Sequence, residues 1–178
     1  MDNDVYMAAY GEWKSRGLTE ETMVYLTVST GISASIISKG EFFRGAGLAG
    51  EIGLTLFHED RGMKSLEELA SGLALQRRAE GEYSTAELFA EKNHPELIHR
   101  AAIYIARGLH QIFCLVDPHL IVVGGGVINH QPNFFEQVQQ EFARLLDHPI
   151  AMDWPRRVLK SELKGDNGLT GAAYLANK

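Results

Sequence analysis

A continuous apolar run from Leu120 to Val123 is followed at once by three glycines, Gly124, Gly125 and Gly126. A run without polar alternation predicts a strand that is buried on both faces of a sheet. Glycines directly after such a strand let the backbone come close to a bound molecule. Ligands of open α/β sheets bind beyond strand ends of this kind. We therefore expect an α/β fold with a ligand site at this loop.

Strand-like segments come before this run. Met23–Ser29 and Ile32–Ser38 are rich in β-branched and apolar residues, and the Ser-Thr-Gly corner between them predicts a hairpin. A Lys-Gly turn then leads to Phe42, and Glu51–Phe57 again has the composition of a strand. We expect three or four antiparallel strands before the first long helix.

Helix signals occupy much of the remaining chain. Ser65 with Glu68 and Ser84 with Glu87 have the spacing of capping boxes, and Pro95 suits the first residue of a helix. The expected helices are Val5–Trp13, Leu66–Ala79, a short helix after Ser84, a long helix that begins at Pro95 and ends before Asp117, Phe134–Leu146, and Gly168–Ala176. One further strand is expected at Arg157–Ser161.

The composition narrows the class of function. The net charge is -6, and no dense run of Lys or Arg is present, so we expect no nucleic-acid partner and no anionic membrane surface. No apolar stretch approaches 20 residues and no signal peptide is visible, which predicts a soluble, cytoplasmic protein. Cys114 is the only cysteine of the sequence, so an intrachain disulfide is excluded. It lies in an apolar run and is therefore expected to be a small core residue.

Asn3 and Asp4 precede an alanine-rich segment that runs to Glu12. Taken alone, Asn-Asp before a helix is typical of an N-cap. The segment also resembles the corresponding stretch of the ROK family, which contains sugar kinases and transcriptional repressors. This resemblance implies an actin-like (ribonuclease H-like) ATPase domain, in which antiparallel strands are followed by helices and a mixed sheet. It further implies that Asp4 is the catalytic base for the sugar hydroxyl and that Asn3 binds the sugar.

The segment Thr27–Ser33 resembles the family's second phosphate motif, a turn between two strands. The resemblance implies that Ser29, Thr30 and Gly31 hold the phosphates of ATP through backbone amides and a hydroxyl. Ser29 and Ser33 stand where the family usually has glycine. Without the resemblance, the same turn is more simply explained as structural.

Asp117–Val127 resembles the family's adenosine-binding strand and loop, and Asp166–Ala173 resembles its closing helix. The first match implies nucleotide contacts from Gly124, Gly125 and Gly126. ATP with Mg²⁺ is the cofactor that these matches imply.

Arg44–Gly53 resembles the family's sugar-recognition segment, which implies that Gly50 and Glu51 bind the sugar. The next position in the family is a histidine that touches the sugar and ligates zinc, whereas this chain has Leu54.

The family's cysteine-rich zinc loop corresponds here to His58–Glu67, which contains no cysteine. Too few ligands remain for a tetrahedral site, so we expect no zinc and suppose that the capping box at Ser65 holds the loop. Glu67 matches the family's second sugar-binding glutamate. The alternative for Glu67 is a helix-start carboxylate that the helix dipole favours.

These matches together imply ATP-dependent phosphorylation of a sugar hydroxyl. The alternatives are a sugar-sensing domain of a ROK-type repressor and a degenerate pseudokinase. We expect 1–178 to be one domain that corresponds to the C-terminal half of the kinase, because the first phosphate motif, Asp-X-Gly-Gly-Thr, does not occur. The isolated chain should then be weakly active or inactive. The expected partners are a missing N-terminal lobe and a second copy of the chain in a homodimer. Asp4, Glu51 and Glu67 should converge near Thr30 and Gly125.

Overall fold

A five-stranded mixed sheet forms the centre of the computed structural model, which describes residues 4–59, 62–79, 83–91 and 94–163. Its strands are β1 (Thr22–Val28), β2 (Ile32–Ser38), β3 (Glu41–Phe43), β6 (Leu120–Gly124) and β7 (Val158–Lys160). The order across the sheet is β3-β2-β1-β6-β7, with antiparallel pairing on the β3 side and parallel pairing on the β7 side. A separate antiparallel hairpin consists of β4 (Leu56–Glu59) and β5 (Gly62–Ser65).

Strand β1 lies in the middle of the sheet and is covered on both faces. Val24 and Leu26 point into one core, whereas Met23 and Tyr25 point into the other. A strand in this position needs apolar residues without polar alternation, and the sequence from Met23 to Val28 supplies them. The predicted α/β architecture, with antiparallel strands first and a mixed sheet after them, is confirmed.

Helices cover the two faces of the sheet unequally. The helices are α1 (Asp4–Ser15), α2 (Leu66–Ala70), α3 (Gly72–Arg78), α4 (Thr85–Glu91), α5 (Pro95–Val116), α6 (Gly126–His130) and α7 (Pro132–Arg144). Helix α1 packs on one face, where Ala9, Tyr10 and Trp13 bury the side chain of Met23. The larger core on the other face contains residues of α2, α5 and α7.

Helix α5 is the longest element and follows the predicted limits closely. Pro95 is its first residue, and Asp117 ends it in a left-handed conformation with φ 42°. Near its end, the ring of Phe113 stacks between the rings of Phe142 and Trp154, at centroid distances of 5.6 and 4.8 Å. These stacked rings attach α7 and the segment before β7 to the central helix.

The prediction of a single helix over Leu66–Ala79 is wrong, because Ser71 interrupts it and separates α2 from α3. The backbone of Ser71 is extended, with φ -73° and ψ 158°, and its hydroxyl accepts a hydrogen bond from the N–H of Ala74 at 3.2 Å. Ser71 is thus the N-cap of a new helix. Helical spacing alone could not reveal this break, since the apolar residues keep the same period across it.

Two other expectations differ from the structure. The segment predicted as a strand at Glu51–Phe57 begins with a 3-10 turn, Ile52–Leu54, and only β4 after it is a strand. Cys114 is exposed rather than buried, because it lies on the solvent side of the last turn of α5. Its sulfur atom is 3.6 Å from Nδ1 of His110.

The predicted final helix, Gly168–Ala176, lies outside the described residues. Among the helices that the structure describes, none is both long enough and apolar enough to cross a membrane.

Candidate nucleotide and sugar site

The corner between β1 and β2 lies beside the end of β6, where the two predicted nucleotide segments meet. Thr27 on β1 is the register partner of Gly124 on β6. The start of α3 fixes the corner, because the N–H of Gly72 donates to the carbonyl of Ser29 at 2.7 Å and the N–H of Leu73 donates to that of Thr30 at 3.4 Å. The corner carbonyls are therefore turned towards α3.

The backbone amides at the tip of the corner are candidates for binding a ligand. Within the described part of the chain, the N–H groups of Thr30 and Gly31 have no hydrogen-bond acceptor. Successive backbone N–H groups in a turn form a concave site for anions such as phosphate.

A pocket of about 300 Å³ opens beside the corner. Its lining residues come from the corner, from α3 and α4, and from the loop after β6, and they are Ser29, Thr30, Gly72, Gln76, Thr85, Ala86, Gly126, Val127, His130 and Gln131. Three of the residues predicted to bind the nucleotide thus share one pocket. A larger and more polar groove, of about 540 Å³, lies between α5 and α7 and contains none of the predicted site residues.

Gly124 and Gly125 pack against β1 instead of lining this pocket. A Cβ atom on Gly125 would lie 2.4 Å from the carbonyl oxygen of Val28, and its φ of 93° is also unfavourable for other residues. A Cβ on Gly124 would come within 2.4 Å of the hydroxyl of Tyr25. The two glycines therefore allow the loop to approach β1, and Gly126 continues it to the pocket.

Glu67 connects the corner with the predicted sugar-recognition loop. Its Oε2 atom accepts a hydrogen bond from the N–H of Ile32 at 2.9 Å. A Cβ atom on Gly31 would lie 2.6 Å from the same oxygen, and one on Gly53 would lie 3.5 Å from the Cβ of Glu67. The carboxylate is exposed, so it remains accessible to a ligand.

The loop that carries Gly50 and Glu51 is tied to strand β2. The N–H of Ala34 donates to the carbonyl of Gly50 at 2.7 Å. Gly50 has a φ of 99°, and a Cβ atom there would lie 2.1 Å from the carbonyl oxygen of Ala34. Glu51 follows with an exposed side chain that makes no capping hydrogen bond to the 3-10 turn.

Asp4 lies in the opposite layer of the fold, at the start of α1. It is the exposed first residue of α1. Two residues later, the ring of Tyr6 lies under the guanidinium group of Arg44, 4.6 Å from the ring centroid. Arg44 begins the loop that leads to Glu51, so the first turn of α1 adjoins that loop. Asn3 lies outside the described residues.

A family profile described as the ROK family matches residues 1–178. The chain belongs to the ROK family. Among its curated relatives, an N-acetylmannosamine kinase of Escherichia fergusonii is 31% identical over 98% of this chain and 63% of its own length. The chain spans between 34% and 63% of the length of the curated relatives that it matches.

Solved structures of ROK proteins have the same fold. A ROK hexokinase from Thermus thermophilus superposes with a TM-score of 0.79 at 33% identity, over 99% of this chain and 65% of the other. A ROK glucokinase from Streptomyces griseus, solved with glucose and AMPPNP, superposes with a TM-score of 0.77 at 26% identity, over 98% and 67% of the two chains. The domain therefore has the actin-like ATPase fold of ROK sugar kinases.

The β4–β5 hairpin contains part of the segment His58–Glu67, which resembles the cysteine-rich ROK loop, and an ion pair that sequence analysis missed attaches the hairpin to α5. Arg100 donates to Oε1 of Glu59 at 2.7 Å, and the hydroxyl of Tyr104 donates to the same carboxylate. The ring of Tyr104 also packs edge-on against Phe57, at a centroid distance of 5.5 Å. No sequence motif could reveal this anchor, because its partners are 41 and 45 positions apart.

These contacts shift the ionisation of the anchor. The hydrogen bonds from Tyr104 and Arg100 lower the pKa of the Glu59 carboxyl below its ordinary value. Burial and the neighbouring carboxylate raise the pKa of Tyr104. The predicted capping box at Ser65 is also present, since Glu68 N–H donates to the Ser65 hydroxyl and the Ser65 N–H donates to the Glu68 carboxylate.

In residues 4–59, 62–79, 83–91 and 94–163, no group of three or more His, Cys, Asp or Glu side chains is arranged to hold a metal ion. Asp60 is one of the few candidate ligands in the segment that resembles the ROK zinc loop, and it lies outside these ranges. The expectation that zinc is absent remains a prediction.

Proposed function

We propose that the protein carrying this domain transfers the γ-phosphoryl group of ATP to a hydroxyl of a hexose or an N-acetylhexosamine. The observation that carries the proposal is the position of Glu67. Its carboxylate accepts a hydrogen bond from Ile32 at the Ser29–Ile32 corner, and its Cβ atom lies close to Gly53 of the predicted sugar-recognition loop. A kinase needs its phosphate-binding and sugar-binding groups side by side in this way, because phosphoryl transfer depends on positioning.

On the nucleotide side, the amides of Thr30 and Gly31 and the hydroxyls of Ser29 and Thr30 would hold phosphate oxygens. The pocket lined by Ala86 would bind the adenosine part of the nucleotide. Bound Mg²⁺ would supply charge neutralisation at the phosphates.

On the sugar side, Glu51 and Glu67 would accept hydrogen bonds from sugar hydroxyls. Asp4 would accept the proton of the attacking hydroxyl, a role that requires a carboxylate within hydrogen-bond reach.

The sugar class is supported by the relatives, one named as an N-acetylmannosamine kinase and another as a hexokinase. Both names describe phosphorylation of a hexose or an N-acetylhexosamine. We therefore propose glucose and N-acetylmannosamine as the first substrates to assay.

The experiment is a steady-state kinase assay on the full-length protein with ATP, Mg²⁺ and each sugar. Asp4→Asn should lower kcat by at least about a hundredfold, the size of a general-base contribution, and leave sugar affinity nearly unchanged. Sugar binding without any phosphorylated product in the wild type would contradict the kinase proposal and favour a sugar-sensing domain.

A steric block tests the nucleotide pocket separately. Ala86→Trp adds a large side chain to an exposed pocket residue of α4 and should weaken binding of a non-hydrolysable ATP analogue by about tenfold or more. Ala143→Trp is the matched control, because Ala143 is exposed on α7 and does not line the pocket. Equal affinities of the two variants would show that the nucleotide binds elsewhere.

A further inference from the structure

Hydrogen bonds from two sides hold the Ser29–Ile32 corner, which would bind phosphate. The backbone of α3 holds its carbonyls through Gly72 and Leu73, and the side chain of Glu67 holds the N–H of Ile32. The first attachment is part of the backbone and does not depend on any side chain. The second depends on one carboxylate whose orientation a ligand can change.

Glu67 has more acceptor capacity than the corner uses. A carboxylate offers about four lone-pair positions on two oxygens. Oε2 contacts Ile32 at 2.9 Å, whereas Oε1 lies further from the corner, 3.9 Å from the Cβ position of Gly31 against 2.6 Å for Oε2. Because the side chain is exposed and its Cβ atom lies near Gly53, Oε1 can accept a hydrogen bond from a hydroxyl of a sugar bound at the predicted sugar-recognition loop.

We propose that Glu67 is a positioning residue that couples sugar binding to the order of the phosphate corner. This inference rests on the proposed function and adds a second task to a predicted sugar ligand. A sugar hydroxyl on Oε1 fixes the rotamer of the side chain, and the bond from Ile32 to Oε2 then persists. The corner is ordered before the nucleotide arrives, so the protein loses less conformational entropy when the nucleotide binds. By linkage, the nucleotide must strengthen sugar binding by the same factor.

Gly31 allows the connection to be broken without removing the carboxylate. The φ of Gly31 lies outside the left-handed region, so alanine is sterically accessible to its backbone. The new Cβ atom would lie 2.6 Å from Oε2 of Glu67, which must then move away. Gly31→Ala should therefore uncouple the two ligands while it leaves a carboxylate for the sugar.

Two further variants complete the design. Glu67→Ala removes both contacts, and Glu67→Gln keeps an acceptor oxygen for Ile32 in a side chain of the same shape. Glu68→Gln is the matched control, because Glu68 is the exposed neighbour on the same turn and glutamine also suits a capping box.

The experiment measures the affinity of the full-length protein for a non-hydrolysable ATP analogue, with and without saturating glucose or N-acetylmannosamine. Amide hydrogen exchange over residues 29–32 and 50–53 is followed in parallel. In the wild type and Glu68→Gln, the sugar should tighten analogue binding by about fivefold or more and protect both segments. In Gly31→Ala and Glu67→Ala, the fivefold effect and the protection of 29–32 should disappear, and Glu67→Gln should keep part of both.

The outcomes separate this inference from the proposed function. If the sugar protects 50–53 but affects neither 29–32 nor analogue affinity, the coupling is wrong and the kinase proposal stands. If Gly31→Ala retains the full effect, Glu67 does not carry the coupling. If no sugar protects 50–53, the proposed sugar site fails and the coupling fails with it.

Discussion

The buried carboxylate of Glu12 on α1 accepts a hydrogen bond from the hydroxyl of Ser161, which follows β7, at 2.5 Å. The same oxygen lies 3.2 and 3.3 Å from the N–H groups of Glu162 and Leu163, and the other oxygen accepts from Arg16 at 3.1 Å. One side chain thus joins the helix that begins at Asp4 to the chain that leaves the sheet edge.

Glu12→Ala should be strongly destabilising. It removes one of the partners of a largely buried arginine, Arg16, which also donates to the carbonyl of Lys160, and it removes the acceptor that Glu12 offers to a buried hydroxyl and two backbone N–H groups. Breaking a buried ion pair from one side costs about 3–5 kcal/mol, so we expect the free energy of unfolding to fall by roughly that amount. Urea denaturation measures it, with Glu20→Ala as a control on an exposed glutamate. A loss below about 1 kcal/mol would show that the cluster contributes little.

The anchor of Glu59 should make stability depend on acidity. Hydrogen bonds from Tyr104 and Arg100 lower the pKa of Glu59 in the folded state. Its contribution is therefore complete above the unfolded pKa, about 4.3, and is lost as the pH falls through the lower folded pKa. Glu59→Gln should be less stable than the wild type at pH 7, and the difference should shrink by pH 3. Denaturation midpoints at both pH values check this, and a constant difference would contradict it.

Gly50 and Gly47 offer a matched pair of substitutions in the loop before Glu51. Both have positive φ angles, 99° and 115°, so alanine strains either backbone. Only Gly50 would also bring its Cβ within 2.1 Å of the carbonyl of Ala34, whereas Gly47 has open space around it. Gly47→Ala should cost about 1–2 kcal/mol, and Gly50→Ala should cost more and also weaken sugar binding. Equal losses of stability in the two variants would show that the contact with β2 relaxes easily.

Leu54 should widen the choice of sugar. The resemblance of Arg44–Gly53 to the ROK sugar-recognition segment implies that Leu54 replaces a histidine near the anomeric hydroxyl, and Leu54 is 65% exposed beside Gly53. An apolar wall tolerates a substituent where there is room, whereas a hydrogen-bonding residue selects for the free hydroxyl. We expect the full-length protein to phosphorylate β-glucosides, and Leu54→His to reduce kcat/KM for them relative to glucose. Efficient turnover of glucose or N-acetylmannosamine alone would contradict this.

Self-association remains a prediction that the apolar outer face of the hairpin region supports. Leu54, Leu56 and Met63 are 65%, 58% and 57% exposed. Exposed apolar groups that lie close together mark protein interfaces. We expect a dimer by light scattering, and Leu56→Glu should shift it towards monomer at the same concentration. A wild-type monomer at high concentration would exclude this interface.

The sequence by itself determined the elements whose signals are local. The corner between β1 and β2, the capping boxes at Ser65 and Ser84, and the limits of α5 follow from residues within a few positions of one another. The glycines after Val123 likewise predicted a loop at the end of a buried strand, because a missing side chain is a local property. The resemblance to the ROK family adds the prediction that Glu67 binds the sugar, and this stays a prediction.

Only the tertiary structure decided which distant groups meet. The break at Ser71 exists because α3 must present Gly72 to the corner carbonyl of Ser29, a contact across 43 positions. Glu12 pairs locally with Arg16, four positions along α1, but its bond from Ser161 and the bond from Arg100 to Glu59 have no local spacing that predicts them. Burial of a charge is stable only where folding supplies its donors. The exposure of Cys114 depends on which side of α5 the core covers, and an apolar neighbourhood in the sequence does not specify that side.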